Sequence, residues 1–244
     1  MITTHIQTRG YELDYTRSIP PAVLVRYMEW GRWEYLGTEN NEITQSVNSL
    51  VVGTQSLVIV STLREREDLD VLVWLSRVGT ASLDISQMIV NKVTKQPIAL
   101  GRATLVNVGK DRRPAAIAQD VKQLVENAPE GFSDELFLDL SDRTSGMSKR
   151  SLQRRVMASE IDLLKHVNHS RYVDYVEDSR KFLFANEDQI APPISAITVQ
   201  YRNEALHGQL LDIDVWPTAD PNVYQSQIVH NGQVMVNAVV KTTG

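Results

Sequence analysis

The sequence predicts an α+β fold of two similar halves, each an antiparallel sheet wrapped around one long helix. Three observations carry that expectation. A shift of 148 positions brings Glu12 onto Glu160, Asp14 onto Asp162, Val25 onto Val173, Tyr27 onto Tyr175, Glu29 onto Glu177 and Arg32 onto Arg180. Leu24, Tyr27, Met28, Gly31 and Tyr35 have the spacing of one helix face, and Tyr172, Tyr175, Val176, Ser179 and Leu183 repeat it at the same offset. A run of strand-like segments follows each of these helices.

Taken in order, a short strand is expected around 5–13. Pro20-Pro21 announces the first helix, because the proline ring presets φ and lacks only an N–H that a helix start leaves unpaired. Strands follow at 56–64, 69–78, 81–93 and 97–108. Leu57, Ile59 and Leu63, and then Leu69, Val71, Val73 and Leu75, are spaced by twos or fours. Apolar residues also lie between them, so both faces should be covered. Ala115–Glu126 reads as a helix, and the small, polar stretch Asp142–Arg150 reads as linker. The second half repeats the plan with a strand near 151–160 and a helix capped by Asn168. Its strands are expected at 195–204, 209–217, 222–230 and 233–242. Asn231-Gly232 joins the last two, a strong signal for a tight hairpin. A shift of 140 also aligns Ser86-Gln87 with Ser226-Gln227. The expected organisation is an N-terminal half at 1–140, a linker at 141–150 and a C-terminal half at 151–244. A single α+β domain whose halves are alike by chance is the alternative.

Composition excludes several classes. The chain has 244 residues, 42% hydrophobic and 23% charged, which is globular rather than disordered, collagen-like or coiled-coil. A net charge of −5 offers no bulk attraction to nucleic acid or to anionic lipid. The absence of cysteine excludes disulfides, thiolate-bound zinc and a cysteine nucleophile. The first residues lack the basic start and apolar core of a signal peptide. Ile43–Leu63 is uncharged and long enough to span a bilayer, but ten of its residues are Ser, Thr, Asn or Gln, so it reads as a loop leading into a strand. A cytoplasmic protein is expected, without membrane contact. Of the five histidines, His166 and His169 alone stand at a ligand spacing, with no carboxylate partner fixed at helical spacing. No metal and no cofactor are expected.

The chemical signal lies in Asp162-Leu-Leu-Lys-His166-Val-Asn168-His169-Ser-Arg-Tyr172. Asp, His and Asn cluster where a strand gives way to a helix, and a helix start favours a developing negative charge. The corresponding first-half stretch, Asp14-Tyr-Thr-Arg-Ser18-Ile-Pro20-Pro21, has no His or Asn. One of two possible sites is therefore equipped. Glu29/Arg32 and Glu177/Arg180 read as structural helix pairs, and Tyr27, Trp30, Trp33 and Tyr35 as packing.

An antiparallel sheet around one long helix is the hotdog arrangement. Two copies in one chain would imitate a hotdog dimer, pairing to extend the sheet and close a cleft that takes acyl groups. The sequence also resembles the acyl-acyl-carrier-protein (acyl-ACP) thioesterases, a double-hotdog family with the signature Asp-x-Asn-x-His-Val-Asn-Asn-x-x-Tyr. Asp162, His166, Val167, Asn168 and Tyr172 match it, while Leu164 and His169 stand where the family has Asn. Gln200-Tyr201-Arg202-Asn203-Glu204-Ala205 is similar to the family's Glu-Tyr-Arg-Arg-Glu-Cys, with Ala205 in place of Cys. The resemblance implies a thioester hydrolase of fatty acid biosynthesis acting on acyl-ACP, or on a CoA thioester, without a cofactor. It implies Glu204 as the carboxylate that activates water, Asp162 as a second carboxylate and His166 as a hydrogen-bonding partner of substrate or water. Asn168, His169 and Tyr172 are implied on the substrate side. A homodimer is also allowed. An acidic carrier protein would need a local basic patch, for which Lys149-Arg150 with Arg154-Arg155 is the densest candidate and Arg112-Arg113 the next. Leu164 and Ala205 favour a competing reading, a non-catalytic acyl-binding protein. A hotdog dehydratase is the third reading.

Overall fold

The structure is a computed structural model that describes residues 1–37, 41–140, 149–184 and 191–243. The chain forms two compact units, Met1–Leu136 and Phe137–Gly244. Of the expected linker, residues 141–148 lie outside the described residues.

In the N-terminal unit, β1 (Ile2–Gln7) precedes α1 (Pro21–Leu36), the short turn α2 (Glu42–Gln45), β2 (Leu50–Ile59), β3 (Asp68–Val78), β4 (Ser82–Asn91) and β5 (Pro97–Asn107). The strands order as β1-β3-β4-β5-β2, antiparallel at every pairing. Pro21 opens α1 with Pro20 as its N-cap. The helix lays Leu24, Val25 and Met28 against the sheet, where they are buried with Val71, Val73, Leu75 and Leu100. Gly31 and Gly101 permit the close approach: a Cβ on Gly101 would collide with the Met28 thioether, and one on Gly31 would crowd Val71 and Val73. A polar tie accompanies this packing. Buried Arg32 donates to Gln55 Oε1 at 2.9 Å and Gln87 Oε1 at 3.0 Å. β4 is buried from Leu83 through Val90, its polar Asp84, Ser86 and Gln87 included. Trp74 of β3 meets Phe132 edge-on at 4.8 Å, where the chain after β5 lies against that strand.

The C-terminal unit contains β6 (Arg150–Arg155), α3 (His169–Phe184), β7 (Ile194–Tyr201), β8 (Leu210–Pro217), β9 (Val223–His230) and β10 (Gln233–Thr242), ordered β7-β10-β9-β8-β6. α3 packs on β6, β7 and β8. Both long helices are 16 residues, and their ends differ by the 148 positions of the repeat. The Asn231-Gly232 hairpin forms with φ of 49° and 79°, the left-handed pair that a two-residue turn requires. Each unit is thus a sheet wrapped on one long helix, and the chain is an α+β tandem hotdog.

Several expectations are corrected. The strand placed at 5–13 is Ile2–Gln7, and the one at 151–160 is Arg150–Arg155. Each stops at the same device, a 3-10 turn whose last carboxylate, Glu12 or Glu160, accepts the N–H of Arg9 or Met157. β2 begins six residues earlier than expected, at Leu50 rather than 56, and its polar Gln55 is a buried strand residue rather than loop. It ends where Val60 and Ser61 both donate to the Ile98 carbonyl. The helix expected over Ala115–Glu126 is reduced to the 3-10 segment Gln119–Leu124. Asn107 and Thr80 already occupy the backbone groups of 115–117 and hold them against the sheet. On α1, Tyr27 and Tyr35 are buried but Trp30 and Trp33 are exposed, so the latter two do not pack in the core. The pair Glu177/Arg180 is a buried bidentate ion pair, with Arg180 also donating to the Pro192 carbonyl.

Candidate active site

The chain between β6 and α3 folds into a tight turn. Asp162 N–H donates to the His166 carbonyl at 2.9 Å, Lys165 N–H to the Asp162 carbonyl at 3.0 Å, and Leu164 N–H to Asp162 Oδ1 at 2.9 Å. Lys165 closes the turn with φ 67°. His166 Nδ1 then lies 3.3 Å from the Val167 carbonyl and 3.5 Å from Asp162 Oδ2, imidazole and carboxylate both half-buried, so these two groups can orient the ring. Val167 N–H donates to the Ala205 carbonyl at 2.9 Å and Asn168 N–H to the Glu160 carbonyl at 3.0 Å. These two bonds dock the turn on the loop after β7 and on the end of the 3-10 turn.

Asn168 is the N-cap of α3: its Oδ1 accepts the Ser170 N–H at 2.9 Å and the Ser170 hydroxyl at 2.7 Å. His169 opens the helix, its ring edge-on to Tyr201 at 6.0 Å and its carbonyl accepting the Tyr201 hydroxyl at 3.0 Å. Tyr172 is buried, and its hydroxyl oxygen accepts the Ala205 N–H at 3.0 Å. Burial, and then the charges of Glu204 and Asp162, push the Tyr172 phenol up to about 12, so it keeps its proton. Glu204 is exposed on the loop after β7. Leu164 points to solvent, 67% exposed, where the resembling family has a polar side chain.

The structure therefore gathers Asp162, His166 and Tyr172 at the start of α3, with Glu204 on the adjoining loop. Joined to them through Asn168 is a cluster whose members the sequence named separately, Arg154, Glu160 and Tyr175. Arg154 donates to Glu160 and sits 4.3 Å over the Tyr175 ring. Burial alone would raise the Glu160 carboxyl, but the Met157 N–H and the Arg154 guanidinium outweigh it and hold the group below the usual range. The appearance of Glu160 in the repeat was the available signal. Arg154 is thus engaged within the unit, while Lys149, paired with Asp214 at 2.8 Å, stays exposed together with Arg150 and Arg155.

The N-terminal unit reproduces the turn without the chemistry. Asp14 N–H donates to the Ser18 carbonyl, Arg17 N–H to the Asp14 carbonyl and Thr16 N–H to Asp14 Oδ1, and Arg17 takes φ 62°. Ile19 N–H donates to the Leu63 carbonyl at 3.2 Å, as Val167 does to Ala205. By these correspondences Ser18 stands for His166, Thr62 for Glu204, Leu24 for Tyr172, and Pro20-Pro21 for Asn168-His169.

Residues 156–242 match the family model of the thioesterase-like superfamily. Over 99% of its length the chain is similar in structure to an acyl-ACP thioesterase from Bacteroides thetaiotaomicron, with a TM-score of 0.81, 16% identity and 97% of that chain covered. It is similar also to a 12:0-ACP thioesterase from Umbellularia californica, with a TM-score of 0.80, 15% identity, and 99% and 96% of the two chains covered. A MaoC-like dehydratase from Phytophthora capsici aligns with a TM-score of 0.63 at 11% identity, covering 99% and 95%. At these identities the likeness is one of fold, and a fold shared with a dehydratase does not select the reaction. The match of residues 156–242, together with that fold, supports the class of a thioester hydrolase of hotdog fold. Residues 156–242, which carry the candidate site, are the part of the chain that is similar to the thioesterase-like superfamily. No described helix is long and apolar enough to cross a membrane.

Proposed function

We propose that the chain hydrolyses fatty acyl thioesters, acyl-ACP foremost, to a free fatty acid and the carrier thiol. The observation that carries this reading is the Asp162–His166 turn, docked on the Glu204 loop at a helix start, inside the segment that matches the thioesterase-like superfamily. Glu204 takes a proton from water as the water oxygen bonds to the thioester carbon. His166, oriented by Asp162, hydrogen-bonds the attacking water or the substrate. The positive end of α3 at Asn168 and His169 stabilises the oxyanion. The C–S bond then breaks, and the departing thiolate takes up the proton. The likeness in fold to acyl-ACP thioesterases favours a carrier protein over CoA. A place in fatty acid biosynthesis and in the cytoplasm follows from that substrate.

The test is release of free thiol from a chain-length panel, each acyl group presented on ACP and on CoA. Turnover is expected to fall at least about 100-fold in Glu204→Ala and His166→Ala, the scale of a lost general base. No turnover above background on any thioester would overturn the hydrolase reading and leave an acyl-binding protein, which the solvent-facing Leu164 would suit. Faster turnover of CoA thioesters would overturn the carrier assignment alone.

A further inference from the structure

We propose that the Tyr172 hydroxyl is a positioning group, which pins the Glu204 loop to the start of α3 and so sets where the water-activating carboxylate stands. The inference rests on the function proposed above and deepens it. Tyr172 is buried at the fourth residue of α3 and does not reach solvent as a substrate ligand would. Its oxygen accepts the N–H of Ala205, the residue that follows Glu204. The carbonyl of Ala205 accepts the Val167 N–H at 2.9 Å. Both backbone groups of one buried residue are thereby tied to the segment that carries His166. The Tyr172 ring is held in turn, edge-on to Tyr175 at 5.7 Å and to Tyr201 at 5.8 Å, and Tyr201 bonds the His169 carbonyl. The strand-side loop and the helix start are thus joined through two tyrosines.

The other unit supplies an internal control. Leu24 is the fourth residue of α1, buried like Tyr172, and carries no hydroxyl. The turn and the counterpart of the Val167–Ala205 bond nevertheless form there, as Ile19 to Leu63. The hotdog architecture does not require a hydroxyl at this position. It appears in the unit where the neighbouring loop carries a carboxylate, Glu204, rather than Thr62.

The experiment replaces Tyr172 by Phe, which keeps the ring and removes the acceptor. Should Tyr172→Phe fail to fold, Tyr172→Leu installs the side chain of the N-terminal unit. Two readouts are taken. Hydrogen exchange of the Ala205 amide should speed up by at least about tenfold while amides of β8 and β9 stay protected, as expected when a local bond is lost. kcat should fall on the order of 10- to 100-fold with KM within about twofold, the scale of a misplaced catalytic group. The loss should be non-additive with Glu204→Gln, because both remove the same contribution. Unchanged exchange at Ala205 overturns the proposal, as does unchanged kcat or full additivity with Glu204→Gln. If the wild-type chain turns over no thioester, the hydrolase reading fails separately, and the exchange readout alone decides whether Tyr172 pins the loop.

Discussion

Glu160 and its counterpart Glu12 show one side chain put to the same use twice and then elaborated once. Each carboxylate accepts a backbone N–H three residues back and closes a 3-10 turn. Glu12 also accepts the Tyr27 hydroxyl at 2.6 Å, and that phenol is pushed up, first by burial and then by Glu12. Glu160 takes the Arg154 guanidinium, and its main-chain carbonyl holds Asn168 at the helix start. Because the folded carboxyl is held below its ordinary value of 4.5, folding favours the charged form. The resulting stabilisation is complete above the unfolded value and is lost as pH falls through the folded one. Glu160→Gln should therefore lower the urea midpoint most at neutral pH, and its difference from wild type should close in acid. A difference independent of pH would remove the ion pair from the account. The sequence showed the glutamates through the repeat, but it could not show the arginine, which arrives from the preceding strand.

At the scale of elements, the long helices were legible because burial on one face imposes a period on the sequence. The described residues of both faces are buried as that period requires. Strand limits were less legible where polar residues are buried. Gln55 looks like loop, yet it is the partner of Arg32 and belongs to β2. The 115–126 segment has helical composition, but side-chain and backbone bonds from β5 and Thr80 claim its first turn. Local preference yields in both places to partners distant in sequence. The spacing of α1 from its sheet makes a further prediction. Gly101→Ala places a methyl group on the Met28 sulfur and should cost about 1–3 kcal/mol by overpacking, read as a lower denaturation midpoint. A midpoint equal to wild type would mean that the helix moves outward freely.

For the molecule as a whole, duplication supplies two copies of the turn but one set of candidate catalytic groups. A hydrolysis-resistant acyl thioether analogue should therefore bind with a stoichiometry of one per chain by calorimetry, and His166→Ala should weaken that binding. Two equivalent sites would mean that the turn built on Asp14 also takes substrate. The sequence by itself determined the plan of two similar halves, the two long helices, the Asn231-Gly232 hairpin and the segment that holds Asp162, His166 and Asn168, because these depend on spacing and on turn residues adjacent in the chain. It also placed Glu204 and Tyr172 on the list of candidates through a resemblance. The tertiary structure decided how those groups meet: Ala205 is held by Tyr172 and Val167, Glu160 by Arg154, and His169 by Tyr201. Each of those contacts joins segments well apart in the chain or on different elements, and only folding sets the distance between them.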